Sequence, residues 1–189
     1  YGNIFDPNEV IDSSQRRNIV VPVNSCFDTH VDNHIVSAQT VHGATFSSLY
    51  ASGKYTEESL SMAIGKLLEN TNYKSLSEEE KPEGNRKRYP VGTVVDLPGY
   101  ENEHFFLWAL STFDNKLKAH TSMQEYALAV QKLIESCNEE SEGFPVVLPL
   151  VGTGLSRTKK DQQDVLKYLI NAFRINKAEI NCDIHIVVR

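Results

Sequence analysis

A chain of 189 residues in which 40% of side chains are hydrophobic and 23% charged has the make-up of a soluble globular protein with one sizeable core. Its formal net charge of -6 argues against extended nucleic-acid binding, which draws on a surplus of lysine and arginine to release counterions. A small anion needs only a local cradle and stays compatible. Three cysteines, Cys26, Cys137 and Cys182, follow no Cys-x-x-Cys spacing, and the odd count without a disulfide framework points to a reducing compartment. No apolar run approaches the ~20 residues of a membrane span, and no signal peptide opens the chain. The start at Tyr1 rather than at a methionine suggests a domain excised from a longer protein.

Tyr1 to Phe5 reads as a short first strand, and the valine-rich run Asn18-Ile-Val-Val-Pro-Val-Asn24 as a buried one. Over 34–50 the stripe Ile35, Ala38, His42, Phe46 and Leu49 predicts a helix stopped at Gly53. On that stripe His42 reads as a packed histidine. Thr56 has the chemistry of an N-cap, with Glu57 and Glu58 in the first turn and Leu60, Ala63, Ile64, Leu67 and Leu68 on one face. Residues 70–90 are polar, acidic at 78–80 and basic at 86–88, and read as a solvated connection with a turn at Pro82-Glu-Gly84. Thr93–Leu97 and His104–Leu110 flank Pro98-Gly-Tyr-Glu-Asn102, so an antiparallel pair is expected, with Phe105, Phe106 and Trp108 in the core. Thr121 with Gln124, or Ser122 with Glu125, forms a capping box. A helical face through Met123, Tyr126, Ala127, Val130, Ile134 and Cys137 follows it. Val146–Leu150 is a strand, Val165, Leu166, Leu169, Ile170 and Phe173 mark a helix, and Ile184–Val188 closes the chain as a strand. Strands alternating with helices around one hairpin predict a single α/β domain over 1–189, with three α/β/α layers and a mixed central sheet.

The segment richest in chemistry is Pro145-Val-Val-Leu-Pro-Leu-Val-Gly-Thr-Gly-Leu-Ser-Arg157. An apolar strand runs into a glycine turn and then a helix, which gathers backbone N–H groups and the positive end of a helix dipole at one place. A phosphate or pyrophosphate is the natural occupant. Other glycine loops fit less well. A P-loop needs Lys-Ser or Lys-Thr after Gly154; a dinucleotide fingerprint needs glycine where Thr158 stands; a nucleophile elbow around Ser156 also needs glycine at 158. A plain tight turn, with Gly152 and Gly154 relieving strain, remains the alternative. Cys26 near His30 lacks a third orienting group for nucleophilic catalysis. His30 and His34 lack a third ligand for zinc.

Four segments taken in order resemble the macrodomain family, whose fold binds ADP-ribose. They are Gly2-Asn-Ile-Phe-Asp6, Ile19-Val-Val-Pro-Val-Asn24, Tyr89-Pro-Val-Gly-Thr-Val-Val95 with Pro98-Gly-Tyr100, and Leu148-Pro-Leu-Val-Gly-Thr-Gly154. More narrowly, Pro149 to Arg157 and Ala109-Leu-Ser-Thr-Phe-Asp-Asn-Lys116 are similar to the macro-type sensor domains of Thoeris anti-phage effectors. The resemblance implies a cytoplasmic sensor domain for an ADP-ribose-derived nucleotide, a conjugate such as histidine-ADP-ribose among them, made from NAD by a TIR-domain partner. It implies no cofactor and no metal. A homo-oligomer is compatible, and any membrane contact of the parent, for instance an inner-membrane anchor, would run through a segment outside this sequence.

Carried onto this chain, the resemblance places Asn3 and Ile4 at the adenine end, with Asp6 as an alternative acceptor. Asn24 and Ser25 would meet the distal ribose. Phe27, Asp28 and Thr29, with His30 and His34, would face a conjugated group, Phe27 being equally readable as a core aromatic. Val151, Gly152, Thr153, Gly154, Leu155, Ser156 and Arg157 would wrap the diphosphate, although Arg157 also reads as a solvated charge. Two departures matter. The family's Asn-Ala-Ala-Asn is here Asn24-Ser-Cys-Phe27, and its first glycine loop is replaced by Asp28-Thr-His-Val-Asp-Asn-His34. Both features orient substrate or water in hydrolytic relatives, so their loss favours a reader over the alternative of an ADP-ribosyl hydrolase. A protein-interaction module with a vestigial pocket is the third reading.

Overall fold

The computed structural model describes residues 4, 14–151 and 162–188. In chain order they form β1 (Arg17–Asn24), α1 (Val41–Ala51), α2 (Glu57–Leu67), β2 (Lys74–Ser75), β3 (Lys87–Arg88), β4 (Val94–Pro98), β5 (Glu103–Phe113), β6 (Ala119–His120), α3 (Met123–Glu140), β7 (Val146–Pro149), α4 (Gln162–Ile175) and β8 (Ile184–Val187). The main sheet runs β4-β5-β1-β7-β8, with β6 paired to the far end of β5. β1 is parallel to β5 and β7, and β7 to β8, while β4 and β6 run antiparallel to β5. The sheet is therefore mixed, with the expected hairpin formed by β4 and β5.

Period-two alternation makes the layers. Ile19, Val21 and Val23 of β1, Phe105, Leu107 and Ala109 of β5, and Val147 of β7 share one core with Phe46 and Leu49 of α1 and Leu60 and Ile64 of α2. The intervening residues, Val20, Phe106, Trp108, Leu110, Val146 and Leu148, pack on the other face against Tyr126, Val130, Leu133 and Ile134 of α3 and Val165, Leu169 and Phe173 of α4. A strand buried on both faces has to be apolar throughout, which is why β1 reads as a continuous run. Each large side chain so buried stabilises the fold by about 1.5–3 kcal/mol. Trp108 keeps its one donor satisfied, Nε1 donating to the Ala129 carbonyl at 3.0 Å.

Caps set the helix starts. Thr56 and Ser59 form a reciprocal box at α2. Of the two possible boxes before α3, Ser122 with Glu125 is the one formed, while Thr121 Oγ1 donates to the Leu110 carbonyl. Gly53, at φ 74, follows α1 as the stop signal anticipated.

Two expectations need correction. The helix read over 34–50 starts only at Val41, capped by Thr40. Residues 32–39 are instead turns, because short polar side chains outcompete the helix for backbone donors. Asp32 Oδ1 accepts from the amides of His34 and Ile35, and Asn33 Oδ1 from that of Ala38. The polar connection over 70–90 is also more than solvated. Glu78 and Glu79 do face solvent, but β2 and β3 pair within the connection, and Leu76, Lys81 and Tyr89 are buried.

Candidate functional site

In open α/β sheets ligands collect beyond the carboxyl ends of the strands. Here those ends are Asn24 of β1, Ser111 to Phe113 of β5 and Leu150–Val151 after β7. They line a cavity of about 500 Å³, Asn24, Ser111, Phe113, Leu150 and Val151 standing on its wall. Its other walls come from the turn segment His34–Ser37, from Gln39 to His42 at the start of α1, and from Leu117–Ala119 of the β5–β6 hairpin. The strand ends are offset by a bulge. Val23 pairs with Ala109 but Asn24 with Ser111, so Leu110 is the extra residue on β5. Bulges re-aim side chains beside binding sites, and Leu110 lines this one.

Asn24 is the best-defined polar group of the cavity. It is 4% exposed. Its Oδ1 accepts from the amide of Cys26 at 3.0 Å and from that of Asp28 at 3.5 Å. That fixes the amide orientation and turns Nδ2, itself buried, toward the Asp28 carboxyl, whose pKa the Asn24 side chain helps to lower. Among the described residues, no aspartate or glutamate lines the cavity, and Lys118 is its one lysine or arginine.

A second layer of bonds holds the loop after β1. The Asp28 carboxylate accepts from Lys81 Nζ at 3.0 and 2.9 Å and from the Asn85 amide at 2.6 Å. Lys81 Nζ also donates to the carbonyls of Glu83 and Asn85, both at 2.8 Å. Lys81 is fully buried and Asp28 2% exposed. Desolvation pushes the Asp28 carboxyl above the usual carboxylate range, although Lys81 opposes it. Asn85 Nδ2 donates to the carbonyls of Cys26 and Phe27. Gly84, at φ +75, closes the connection over this pair; a Cβ there would meet Asp28 Oδ1 at 2.3 Å. From the other side His42 Nε2 donates to the Asp28 carbonyl at 3.0 Å. His42 stacks edge-on against Phe46, and burial lowers its pKa to about 4, so the ring is neutral.

Of the residues singled out in the sequence, Asn24 and Val151 come together on the cavity wall. The Val151 carbonyl accepts from Tyr126 Oη at 3.1 Å. Asn3, Gly152, Thr153, Gly154, Leu155, Ser156 and Arg157 lie outside the described residues. Ile4 is buried in the α1–α2 core. Ser25, Phe27, Asp28 and Thr29 do not line this cavity. Phe27 takes the core alternative, 1% exposed at φ 51 and edge-on to Tyr89. Asp28 is committed to Lys81 rather than presented to a ligand. Thr29 holds Tyr50 Oη through its carbonyl. Burial raises the Cys26 thiol pKa, the opposite of what a nucleophile needs. His30 bonds Glu57, and His34 pairs with Glu83.

The sequence reading missed the β5–β6 wall and Lys81. One signal for the wall was present. Asp114 sits before a short turn, and its Oδ1 accepts from the amides of Lys116 and Lys118 while Oδ2 takes His120 Nε2. Lys81, beside a proline in an acidic run, gave no sign of burial.

Comparison with known proteins agrees with this geometry. A family model described as "Thoeris protein ThsA, Macro domain" matches residues 1–189. The chain is 26% identical over 166 residues to the Thoeris protein ThsA of Bacillus amyloliquefaciens (strain Y2), covering 85% of this chain and 52% of that protein. It thus spans about half the length of the curated relative. In fold it is similar to the macrodomain of Mycobacterium tuberculosis DarG, with a TM-score of 0.52, 14% identity, and coverage of 98% of this chain and 93% of that one.

Proposed function

The chain belongs to the macro-domain family of the Thoeris protein ThsA, and from that premise we propose that it is the sensor of an anti-phage effector, binding an ADP-ribose-derived signal without hydrolysing it. The observation that carries this reading is Asn24. It stands on the wall of a cavity at the carboxyl ends of β1, β5 and β7, where the distal ribose would lie. The diphosphate would lie on the backbone amides of Val151 to Arg157, each charge-assisted hydrogen bond contributing roughly 1.5–3 kcal/mol. A TIR-domain partner would supply the signal. The rest of the parent protein, about half of its length in the matched relative, would hold the output.

Calorimetry with ADP-ribose tests the reading. The wild type binds, Gly154→Glu loses binding because a carboxylate enters the anion cradle, and Asn24→Ala weakens it. Equal affinity in the wild type and Gly154→Glu would remove the diphosphate from that loop. Incubation with O-acetyl-ADP-ribose and with an ADP-ribosylated protein tests the second half. Multiple turnovers of released ADP-ribose would make the domain a hydrolase instead.

A further inference from the structure

We propose that Cys182 is a site of oxidative modification by peroxides and that Cys137 resolves it, closing a reversible disulfide that ties α3 to the segment entering β8. The inference is independent of the nucleotide reading of the cavity.

The two cysteines are 45 positions apart in the chain and meet in the core between the sheet, α3 and α4. Both are free. Cys137 is on α3 and fully buried. Cys182 lies in the bend before β8 and is partly exposed. It borders a second, open groove of about 570 Å³, with Arg174, Lys177 and Ile180. Cys182 Sγ donates to the Cys137 carbonyl at 3.7 Å, and the two thiols stand within hydrogen-bond reach of each other. Hydrogen bonds from Cys137 and Ser141 lower the Cys182 pKa to about 7, against partial burial and Asp183. A share of Cys182 is therefore thiolate near neutral pH, and the thiolate is the nucleophile. The same contact, with burial, raises the Cys137 pKa and keeps that thiol protonated. Disulfides that form in a reducing compartment are redox-sensing rather than structural.

The groove sets the order of events. The Cys182 thiolate attacks one oxygen of hydrogen peroxide, the O–O bond breaks, and the departing hydroxide takes up the thiol proton as water. The sulfur is left as a sulfenic acid. Cys137 then attacks that sulfur. The S–O bond breaks, an S–S bond forms, and the second hydroxide leaves as water with the Cys137 proton. Together the two thiols lose two electrons to the peroxide. The backbone at Cys182 is irregular, so a rotamer change there closes the sulfurs to bonding distance.

The test treats the reduced protein with hydrogen peroxide, alkylates the remaining thiols and maps the peptides by mass spectrometry. The expected product is a Cys137–Cys182 disulfide that dithiothreitol reopens, with Cys26 still alkylated once the protein is unfolded. In Cys137→Ala the reaction should stop at a Cys182 sulfenic acid that dimedone captures. In Cys182→Ser, which spares the buried cysteine, Cys137 should stay reduced. Because the bridge closes a long loop, oxidation should raise the wild-type Tm by about 4–16 °C and leave that of Cys182→Ser unmoved. A wild type whose two cysteines stay unbridged under peroxide, or a bridge to Cys26 instead, overturns the proposal. So does a Cys137–Cys182 bridge that forms without raising Tm, since it would tie nothing that folding had not already fixed.

Discussion

Replacing Lys81 by methionine should be among the most damaging single changes in this chain, and removing its partner as well should repair part of the damage. The thioether approximates the length of the lysine stem but leaves the Asp28 carboxylate, 2% exposed, without its ammonium. Breaking one side of a buried pair costs about 3–5 kcal/mol, mostly the uncompensated charge. In a domain of this size ~1 kcal/mol moves Tm by about 2–4 °C, so the melting temperature should drop by about 6–20 °C. In Asp28→Asn/Lys81→Met no charge is stranded, and the loss should be smaller despite the extra substitution. The pH dependence gives a second check. Burial already raises the Asp28 pKa, and Lys81 is the main group lowering it. Without Lys81 the folded-state value rises further above the unfolded one. A raised carboxyl contributes stability that is fully present below the unfolded pKa and is lost as pH rises through the folded one. The deficit of Lys81→Met relative to the double variant should therefore shrink on acidification. Urea unfolding at neutral and mildly acidic pH measures all of this. Equal or additive losses, or a deficit independent of pH, would refute a buried, mutually dependent ion pair.

His42 should impose the opposite slope. Its pKa falls from 6.5 to about 4, so its contribution is present above the unfolded value and is lost as pH drops toward 4. At ~1.4 kcal/mol per pH unit the loss reaches roughly 3 kcal/mol, and His42→Gln, which keeps a donor for the Asp28 carbonyl, should flatten that part of the Tm–pH curve. Two helix glycines should answer the same substitution with opposite signs in thermal melts. In Gly43→Ala the new Cβ would meet the Ser37 carbonyl oxygen at 2.2 Å, an overpacking cost of about 1–3 kcal/mol. Gly65→Ala meets nothing within 4 Å and should gain up to about 1 kcal/mol of helix propensity. Asn24→Ala should weaken ADP-ribose by about 0.5–1.5 kcal/mol in calorimetry and also lower Tm, because the amides of Cys26 and Asp28 lose the Oδ1 that accepts from them.

Much of the scaffold was legible because its signals are local. β1 announces burial on both faces by having almost nothing but valine and isoleucine between its two asparagines. Thr56 and Ser122 mark helix starts with their own side chains. The stripe over 34–50 misled because Ile35 and Val36 are buried while Asp32 and Asn33 take the amides that a helix would use; an apolar period does not report that competition. The site was legible where it closes a strand, at Asn24 and Val151. It was illegible at Lys81, whose burial is decided 53 residues away at Asp28, and at Ser111, which reaches the wall through a one-residue bulge in the β1–β5 register. Nothing within a window of sequence encodes either pairing.

The same pairings bear on whether the cavity can do chemistry. Hydrolysis at the anomeric carbon needs a base or a water held by one. The carboxylate nearest to Asn24 in the chain, Asp28, accepts three hydrogen bonds from Lys81 Nζ and the Asn85 amide and does not line the cavity. His42 is on the wall, but an imidazole with a pKa of about 4 draws protons too weakly to activate water near neutral pH. Its Nε2 is spent on the Asp28 carbonyl. What the described wall offers is the Ser111 side chain, Lys118, and the apolar surface of Val36, Leu110 and Val151. Under the sensor reading proposed above, such a surface need only bind its anion, and stabilisation that is uniform raises affinity without raising rate.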